Sequence, residues 1–362
     1  MIKPESIEEL RDQIEILDTV ESYDIKLKKR GSVYVGCCPF HNESTPSFTV
    51  SVSKGIFKCF GCGVGGDAIS FVMKKDNMDF ISAIRQLAVR KNFHLQEDEE
   101  SPEEKEVTAK KADLKLINKG VAKKYHELLD SLLITDPVKL ELYKERQLKF
   151  ETIETFQIGY APDKWQFITP AIVDKGLYFP AVEIGLIATS NDRNYDVYRN
   201  RIMFPIHDHK GDIVGFGGRK MDNKDKDNPK YLNAKESVLY KKDQQLYGLF
   251  QAQKHIRTLG FATIVEGYYD VLSCHQCGVQ NAVASCGTSF TSGQAKLLKK
   301  YTNYAVLLND GDVAGKNSSL KTVDILLKEG FKVDICPLPD DHDPDSFSRT
   351  LPVLNEYLEN LI

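Results

Sequence analysis

The sequence predicts an α+β multidomain protein: a small N-terminal metal ribbon, a mixed α+β middle, and a C-terminal α/β unit with a mostly parallel sheet. Three observations predict it. Two short cysteine and histidine pairs lie within residues 1–97. A polar acidic stretch containing a proline follows them. Beyond residue 255, strand-like and helix-like segments alternate, which is how a parallel sheet covered by helices reads. The 362 residues leave room for two or three domains, and 41% hydrophobic with 28% charged residues is a globular composition.

The first region, 1–97, holds short glycine-punctuated strands at 32–35 and 56–58, around the metal-ligand pairs. Residues 98–112 are expected to be an acidic linker, since the run from Gln96 to Lys105 has no apolar face. Apolar residues then return at helical spacing as Leu114, Ile117, Val121, Tyr125, Leu128 and Leu132. The middle region, 113–255, mixes helices with strands at 201–206 and 212–216. In the last region, 256–362, strands are expected at 261–265, 281–285, 304–308 and 332–336, and helices at 268–277, 294–301 and 315–328. Ligands of such sheets sit at the carboxyl ends of the strands.

No run of about 18 apolar residues occurs, and the start MIKPESIEEL has no basic region ahead of an apolar core. No membrane span or signal peptide is expected, which leaves the cytoplasm. The net charge of -4 argues against a nucleic-acid binder that uses its whole surface, but not against a local basic groove.

Cys38-Pro39-Phe40-His41 and Cys59-Phe60-Gly61-Cys62 each place two residues between ligands, with 17 residues between the pairs. Tight turns of this kind aim both side chains at one ion, and mixed sulfur and imidazole ligands select zinc. Cys38, His41, Cys59 and Cys62 are therefore the expected ligands of one structural Zn²⁺. Cys37 adjoins them, but only Cys38 keeps the spacing to His41. Lys26, Lys28, Lys29 and Arg30, near Tyr34, Phe48, Phe57 and Phe60, either grip a single strand by charge and stacking or form a solvated turn beside core aromatics. Cys274 and Cys277 have no second pair nearby and read as incidental helix residues; His207 and His209 read as structural.

Acidic residues fall after successive strands. Glu266 follows 261–265 with Asp270 a helical turn on, Asp310 and Asp312 follow 304–308, and Asp343 and Asp345 come after 332–336. Gathered carboxylates repel one another unless a cation neutralises them, and hard oxygen ligands suit Mg²⁺ or Mn²⁺. Such ions activate a hydroxyl and neutralise charge on a transferring phosphoryl group. Between Arg199 and Lys242 the balance reverses, with 11 lysines and arginines against six acids. A groove of that sign suits a triphosphate and a template strand.

These motifs resemble, in order and spacing, the bacterial DnaG-type primases. The zinc segment is similar to the family's ribbon from Cys38 through Thr45-Pro46-Ser47-Phe48 to Gly63. The middle resembles its basic subdomain through Arg146, Phe156-Gln157-Ile158-Gly159-Tyr160-Ala161-Pro162, Arg199-Asn200-Arg201-Ile202-Met203-Phe204-Pro205, Gly215-Phe216-Gly217-Gly218-Arg219 and Lys230-Tyr231-Leu232-Asn233. The last third resembles its Toprim fold through Val265-Glu266-Gly267-Tyr268-Tyr269-Asp270, Asp310-Gly311-Asp312 and Asp343-Pro344-Asp345.

The resemblance implies a DNA-directed RNA polymerase that makes short primers on single-stranded DNA from ribonucleoside triphosphates. It implies two or more catalytic divalent ions on Glu266, Asp270, Asp310, Asp312, Asp343 and Asp345, with Glu266, Asp310 and Asp312 central. It also implies nucleotide or template contacts by Arg146, Arg199, Arg201, Lys230 and Lys241. The alternatives are a Toprim nuclease or a non-catalytic single-strand-binding accessory protein of a mobile element. The chain ends at Ile362 without the family's C-terminal helicase-binding domain, which leaves a helicase partner open. Cys286-Gly287-Thr288-Ser289-Phe290 departs from the family's pattern and takes no role.

Overall fold

The computed structural model describes residues 2–350 except 77, 99–100, 222–227, 288, 309–312 and 340–341, with 313–318 and 349–350 described as backbone alone. The chain divides into two units, Met1–Lys105 and Glu106–Ile362.

In the first unit, α1 (Pro4–Gln13) and α2 (Ile16–Glu21) precede a five-stranded antiparallel meander. Its strands are β1 (Lys28–Arg30), β2 (Val33–Gly36), β3 (Phe48–Ser51), β4 (Ile56–Cys59) and β5 (Gly65–Gly66), paired in sequence order. Two helices follow, α3 (Ala68–Lys75) and α4 (Phe80–Arg90), each started by an aspartate. Asp67 and Asp79 accept from the amides of Ser70 and Ser82 at 2.8 and 2.9 Å, supplying the acceptors that open helix ends lack. Alternation along β3 and β4 turns Phe48 and Phe57 inward onto Phe71, with ring centroids 5.4 to 6.2 Å apart. Phe48 and Phe57 are thus core residues, while Phe60 is 76% exposed and the strand Lys28–Arg30 lies in solvent. The core reading of those aromatics holds for Phe48 and Phe57; Tyr34 packs partly against the same core, and Phe60 stays exposed.

Helix α5 (Pro102–Ser131), whose first turn belongs to the first unit, has 30 residues and in the second unit buries Leu114, Ile117, Val121, Ala122, Tyr125 and Leu129 along one stripe. The helix starts inside the segment expected to be a linker. Ser101 and Glu104 form a reciprocal cap: the Glu104 amide donates to Ser101 Oγ at 3.1 Å and the Ser101 amide to Glu104 Oε2 at 2.9 Å. With Pro102 as its first residue, this is a strong helix start even where no apolar face exists to pack. Then come α6 (Pro137–Lys139), a π-helical turn at Leu140–Glu145, and α7 (Phe150–Phe156).

A four-stranded antiparallel sheet is built from β6 (Gly159–Ala161), β9 (Arg201–His207), β10 (Ile213–Lys220) and β11 (Tyr231–Asn233) in the order β11-β10-β9-β6. Between β6 and β9 lie α8 (Thr169–Asp174), α9 (Tyr178–Glu183) and the hairpin of β7 (Ile187–Ser190) and β8 (Arg193–Asp196). Asn191 and Asp192 turn that hairpin with φ of 49° and 58°, the left-handed pair that matches strand twist.

The remaining elements are β12 (Leu246–Tyr247), α10 (Leu249–Leu259), β13 (Ala262–Val265), α11 (Tyr268–Gln276), β14 (Ala282–Ser285), α12 (Ser292–Leu298), β15 (Tyr304–Leu307), α13 (Val313–Lys328), β16 (Lys332–Ile335) and α14 (Pro344–Thr350). The sheet order is β12-β14-β13-β15-β16, with β13 to β16 mutually parallel and β12 an antiparallel edge. The four expected strands are all present. All of β13 and β14 is buried, as the apolar runs require of strands covered on both faces. The glycine-rich β10 lies against α11: a Cβ on Gly217 would come within 2.5 Å of the Tyr268 ring. Tyr268 in turn stacks on Phe204 of β9 and donates its hydroxyl to Asn233 Oδ1 at 2.6 Å. Glycine at 217 is therefore what lets the antiparallel sheet pack beside the carboxyl edge of the parallel one.

Candidate functional site

Cys38 and His41 come from the turn after β2, and Cys59 and Cys62 from the end of β4 and the turn beyond it. The ligand atoms of all four lie within 4.8 Å of one another. Cys38 Sγ is 3.9 Å from Cys62 Sγ, and Cys59 Sγ is 3.8 Å from His41 Nδ1. The amides of Phe40 and Cys62 donate to Cys38 Sγ and Cys59 Sγ at 3.4 and 3.3 Å, so each knuckle's backbone favours the thiolate form. Glu43 completes the setting. It accepts from the amides of Cys38 and Ser47 at 2.6 and 3.1 Å and from Ser47 Oγ at 2.5 Å, and it also meets His41 Nε2 at 3.3 Å. A carboxylate on Nε2 orients the ring and leaves Nδ1 for a metal. Cys37 is exposed and stands outside the group. Three sulfurs and one imidazole at this separation fit Zn²⁺. Spacing alone did not reveal Glu43; its position two residues after the ligating histidine is the available signal.

Glu266 leaves the carboxyl end of β13 and leads into α11. Asp270, in the first turn of α11 and 9% exposed, accepts from the Gly267 amide at 2.8 Å. The neighbouring parallel strand is β15, whose Leu307 pairs with Ile264, and the Leu308 amide extends the ladder to Ile264 O at 2.9 Å. The segments after β13 and β15 thus leave adjacent strands at one edge. Asp310 and Asp312 lie outside the described residues. Asp343 precedes α14 and caps it, its Oδ1 accepting from the Ser346 amide at 2.6 Å.

Asp345 is set differently. It is 1% exposed, Oδ1 accepts from Ser273 Oγ at 2.6 Å, and Oδ2 pairs with Arg146 Nη1. Arg146 also donates through Nε to Glu141 Oε1 at 3.2 Å and lies 4.4 Å over the Tyr269 ring. Glu141, from the π-helical turn, pairs in addition with Arg219 of β10, whose guanidinium stands 5.3 Å over the same ring. Burial disfavours the Arg146 charge, but Asp345 beside it outweighs burial and raises its pKa above the ordinary value. The group joins α14, α11, the π turn and β10 through two cations and two anions. Nothing in the sequence singled out Glu141 or Ser273, because their partners lie far along the chain.

The other cations divide into two kinds. Arg201 is 1% exposed and donates to the carbonyls of Gly218 and Pro229 at 3.0 and 3.1 Å and to Asn228 Oδ1 at 2.8 Å. In this state its guanidinium holds the chain at 228–229 instead of facing solvent. Arg199 lies 4.2 Å over Trp165 and 5.2 Å from Tyr195, and Trp165 is 67% exposed. Lys230 and Lys241 are surface groups, Lys241 reaching Glu236 at 3.9 Å.

Residues 2–103 match the CHC2 zinc finger family, 130–253 the DNA primase catalytic core N-terminal domain, and 263–348 the Toprim-like family. The DNA primase of Clostridium acetobutylicum is 40% identical over 96% of this chain and 57% of its own length; that of Aquifex aeolicus is 37% identical over 95% of this chain and 66% of its own. The chain thus spans between half and two thirds of the curated relatives it matches. The crystal structure of the Aquifex aeolicus primase zinc-binding and RNA polymerase domains is 36% identical, with a TM-score of 0.61 over 98% of this chain and 84% of that one. A DnaG primase catalytic domain bound to single-stranded DNA is 32% identical, with a TM-score of 0.63 over 70% of this chain and 82% of that one. With its zinc ribbon, primase core and Toprim sheet in that order, the chain belongs to the bacterial DnaG-type primase family.

Proposed function

We propose that this chain synthesises short RNA primers on single-stranded DNA. The observation that carries the reading is the edge formed by β13 and β15. Glu266 and Asp270 stand at the carboxyl end of one, the chain toward Asp310 and Asp312 continues from the other, and the sheet of β9 and β10 packs against α11 alongside. The Aquifex structure and the DNA-bound catalytic domain support it by likeness. The matched primase core weighs against a nuclease or an idle binding module.

Hard carboxylate oxygens at this edge fit Mg²⁺ or Mn²⁺, held by Glu266, Asp270, Asp310, Asp312 and Asp343. Such an ion, when bound, supplies charge neutralisation for the triphosphate and lowers the pKa of the attacking hydroxyl. In the reaction a ribonucleotide 3′-oxygen forms a bond to the α-phosphorus of the incoming triphosphate. The bond to the bridging oxygen breaks, and pyrophosphate leaves.

Arg199, Lys230 and Lys241 attract triphosphate and template phosphates, and the Trp165 and Tyr195 rings beside Arg199 offer faces for a base. Arg146 and Asp345 act as positioning residues that fix α14, and with it Asp343, against α11. Arg201 shapes the turn that presents Lys230. The ribbon holds the template through Tyr34, Phe60 and its basic strand. The reading places the protein in the cytoplasm; among the described residues no helix is long and apolar enough to cross a membrane.

The test is RNA synthesis on undefined single-stranded DNA with ribonucleoside triphosphates and Mg²⁺ and no supplied primer. Short RNA is expected, and Asp310→Asn should reduce it by about 10²–10³-fold while DNA binding persists. Strand cleavage without incorporation, or full synthesis by Asp310→Asn, would overturn the proposal.

A further inference from the structure

His126 and Asp130 lie one turn apart on α5, and Glu154 faces them from α7. Strand β6 runs so close to α5 that a Cβ on Gly159 would stand 2.8 Å from the His126 amide. That approach brings Ile158 O to 2.6 Å from His126 Nδ1. A carbonyl oxygen can only accept, so Nδ1 carries the proton and the tautomer is set. Nε2 then faces two carboxylates, Glu154 Oε1 at 3.0 Å and Asp130 Oδ2 at 3.6 Å. A neutral ring in that orientation would aim a lone pair at two anions. A divalent ion between the three groups would complete the arrangement.

The donor set favours the ion. One imidazole nitrogen and two carboxylate oxygens, all within 4.8 Å of one another, can converge on a borderline cation with small side-chain shifts. The ring is anchored from behind, as metal-ligating histidines are. The carboxylates are 48% and 42% exposed, which leaves positions for water. Lys139 Nζ rests on the Asp130 carbonyl at 3.0 Å, and Lys123 engages Glu127 on the outer face of α5.

We propose that His126, Asp130 and Glu154 form a second transition-metal site, for Zn²⁺ or a similar borderline ion, separate from the ribbon and from the carboxylate edge. Bound there, the ion pins the end of α5 to α7. The proposal does not depend on the polymerase reading.

It is tested on the full chain with its ribbon zinc in place, dialysed free of excess metal and titrated with Co²⁺ and Zn²⁺ at neutral pH. The parent protein should take up one equivalent more than His126→Gln at micromolar metal, and Glu154→Gln should weaken that equivalent at least about tenfold. Its Co²⁺ spectrum should lack the thiolate charge-transfer band that Co²⁺ in a three-cysteine site would give. The same metal should raise the melting temperature of the parent and leave that of His126→Gln unmoved. Equal uptake by parent and His126→Gln, whether from a ring held by a proton alone or from binding elsewhere, would overturn the proposal. Should His126→Gln fail to fold by circular dichroism, unchanged affinity in Glu154→Gln overturns it instead.

Discussion

The ribbon centre and the proposed carboxylate edge are assembled in different ways. All four ribbon ligands fall between Cys38 and Cys62, on two turns of one antiparallel meander. The proposed acidic set runs from Glu266 to Asp343, and the strand order β14-β13-β15-β16 is what sets the carboxyl ends of β13 and β15 side by side. A site made by local turns is complete once its own small unit folds. A site made by sheet topology needs the whole unit, together with groups such as Arg146 and Glu141 that arrive from another part of the chain.

The largest effect that sharpens this contrast should come from the ribbon. Cys59→Ser is expected to remove one zinc per chain and to abolish or strongly lower the unfolding transition of residues 1–105, since metal binding and folding are coupled in such units. The transition of the larger unit should stay where it is. Calorimetry with metal analysis checks this, and a single transition that shifts as a whole would break the comparison. Cys37→Ser, by contrast, should keep its zinc.

Next in size is the difference between two aspartates two residues apart. Asp345→Asn leaves a partly buried cation with a weakened partner and should cost about 2–3 kcal/mol, less than a fully orphaned buried charge because Glu141 remains. Asp343→Asn should cost about 1 kcal/mol or less in denaturant unfolding, as a partly exposed capping side chain does, but should shift the Mg²⁺ concentration needed for synthesis. If instead Asp345→Asn moves the Mg²⁺ dependence and spares stability, the assignment of Asp345 as a positioning residue fails. Smallest is Ser101→Ala, which removes half of the reciprocal cap on α5 and should cost about 1 kcal/mol. Faster amide exchange confined to the first turns of α5 would be its signature.

Much of the fold was legible because its signals are periodic or local. The stripe from Leu114 to Tyr125, the apolar runs that became β13 to β15, and the two ligand pairs each need only a window of a few residues to be read. The start of α5 was misread for the opposite reason. Charge and the missing apolar face suggested a solvated linker, whereas Ser101, Pro102 and Glu104 carried a local cap that outweighed them. Arg201 shows a different limit. A lysine- and arginine-rich stretch reads as a phosphate surface, but burial against Gly218 and Pro229 turned this one guanidinium inward. Glu141 could not have been found, since an acid on a helix has no distinguishing neighbour until Arg146 and Arg219 fold onto it.

By itself the sequence determined the ribbon's ligand set, the alternation that makes a parallel sheet and the order of the three regions, because spacing and periodicity act over distances the chain encodes directly. Only the tertiary structure decided which charges face solvent and which lock elements together. It set Asp345 apart from Asp343, drew Arg201 into a turn and gathered His126, Asp130 and Glu154. Burial and pairing depend on what arrives from distant segments, and no local window contains that information.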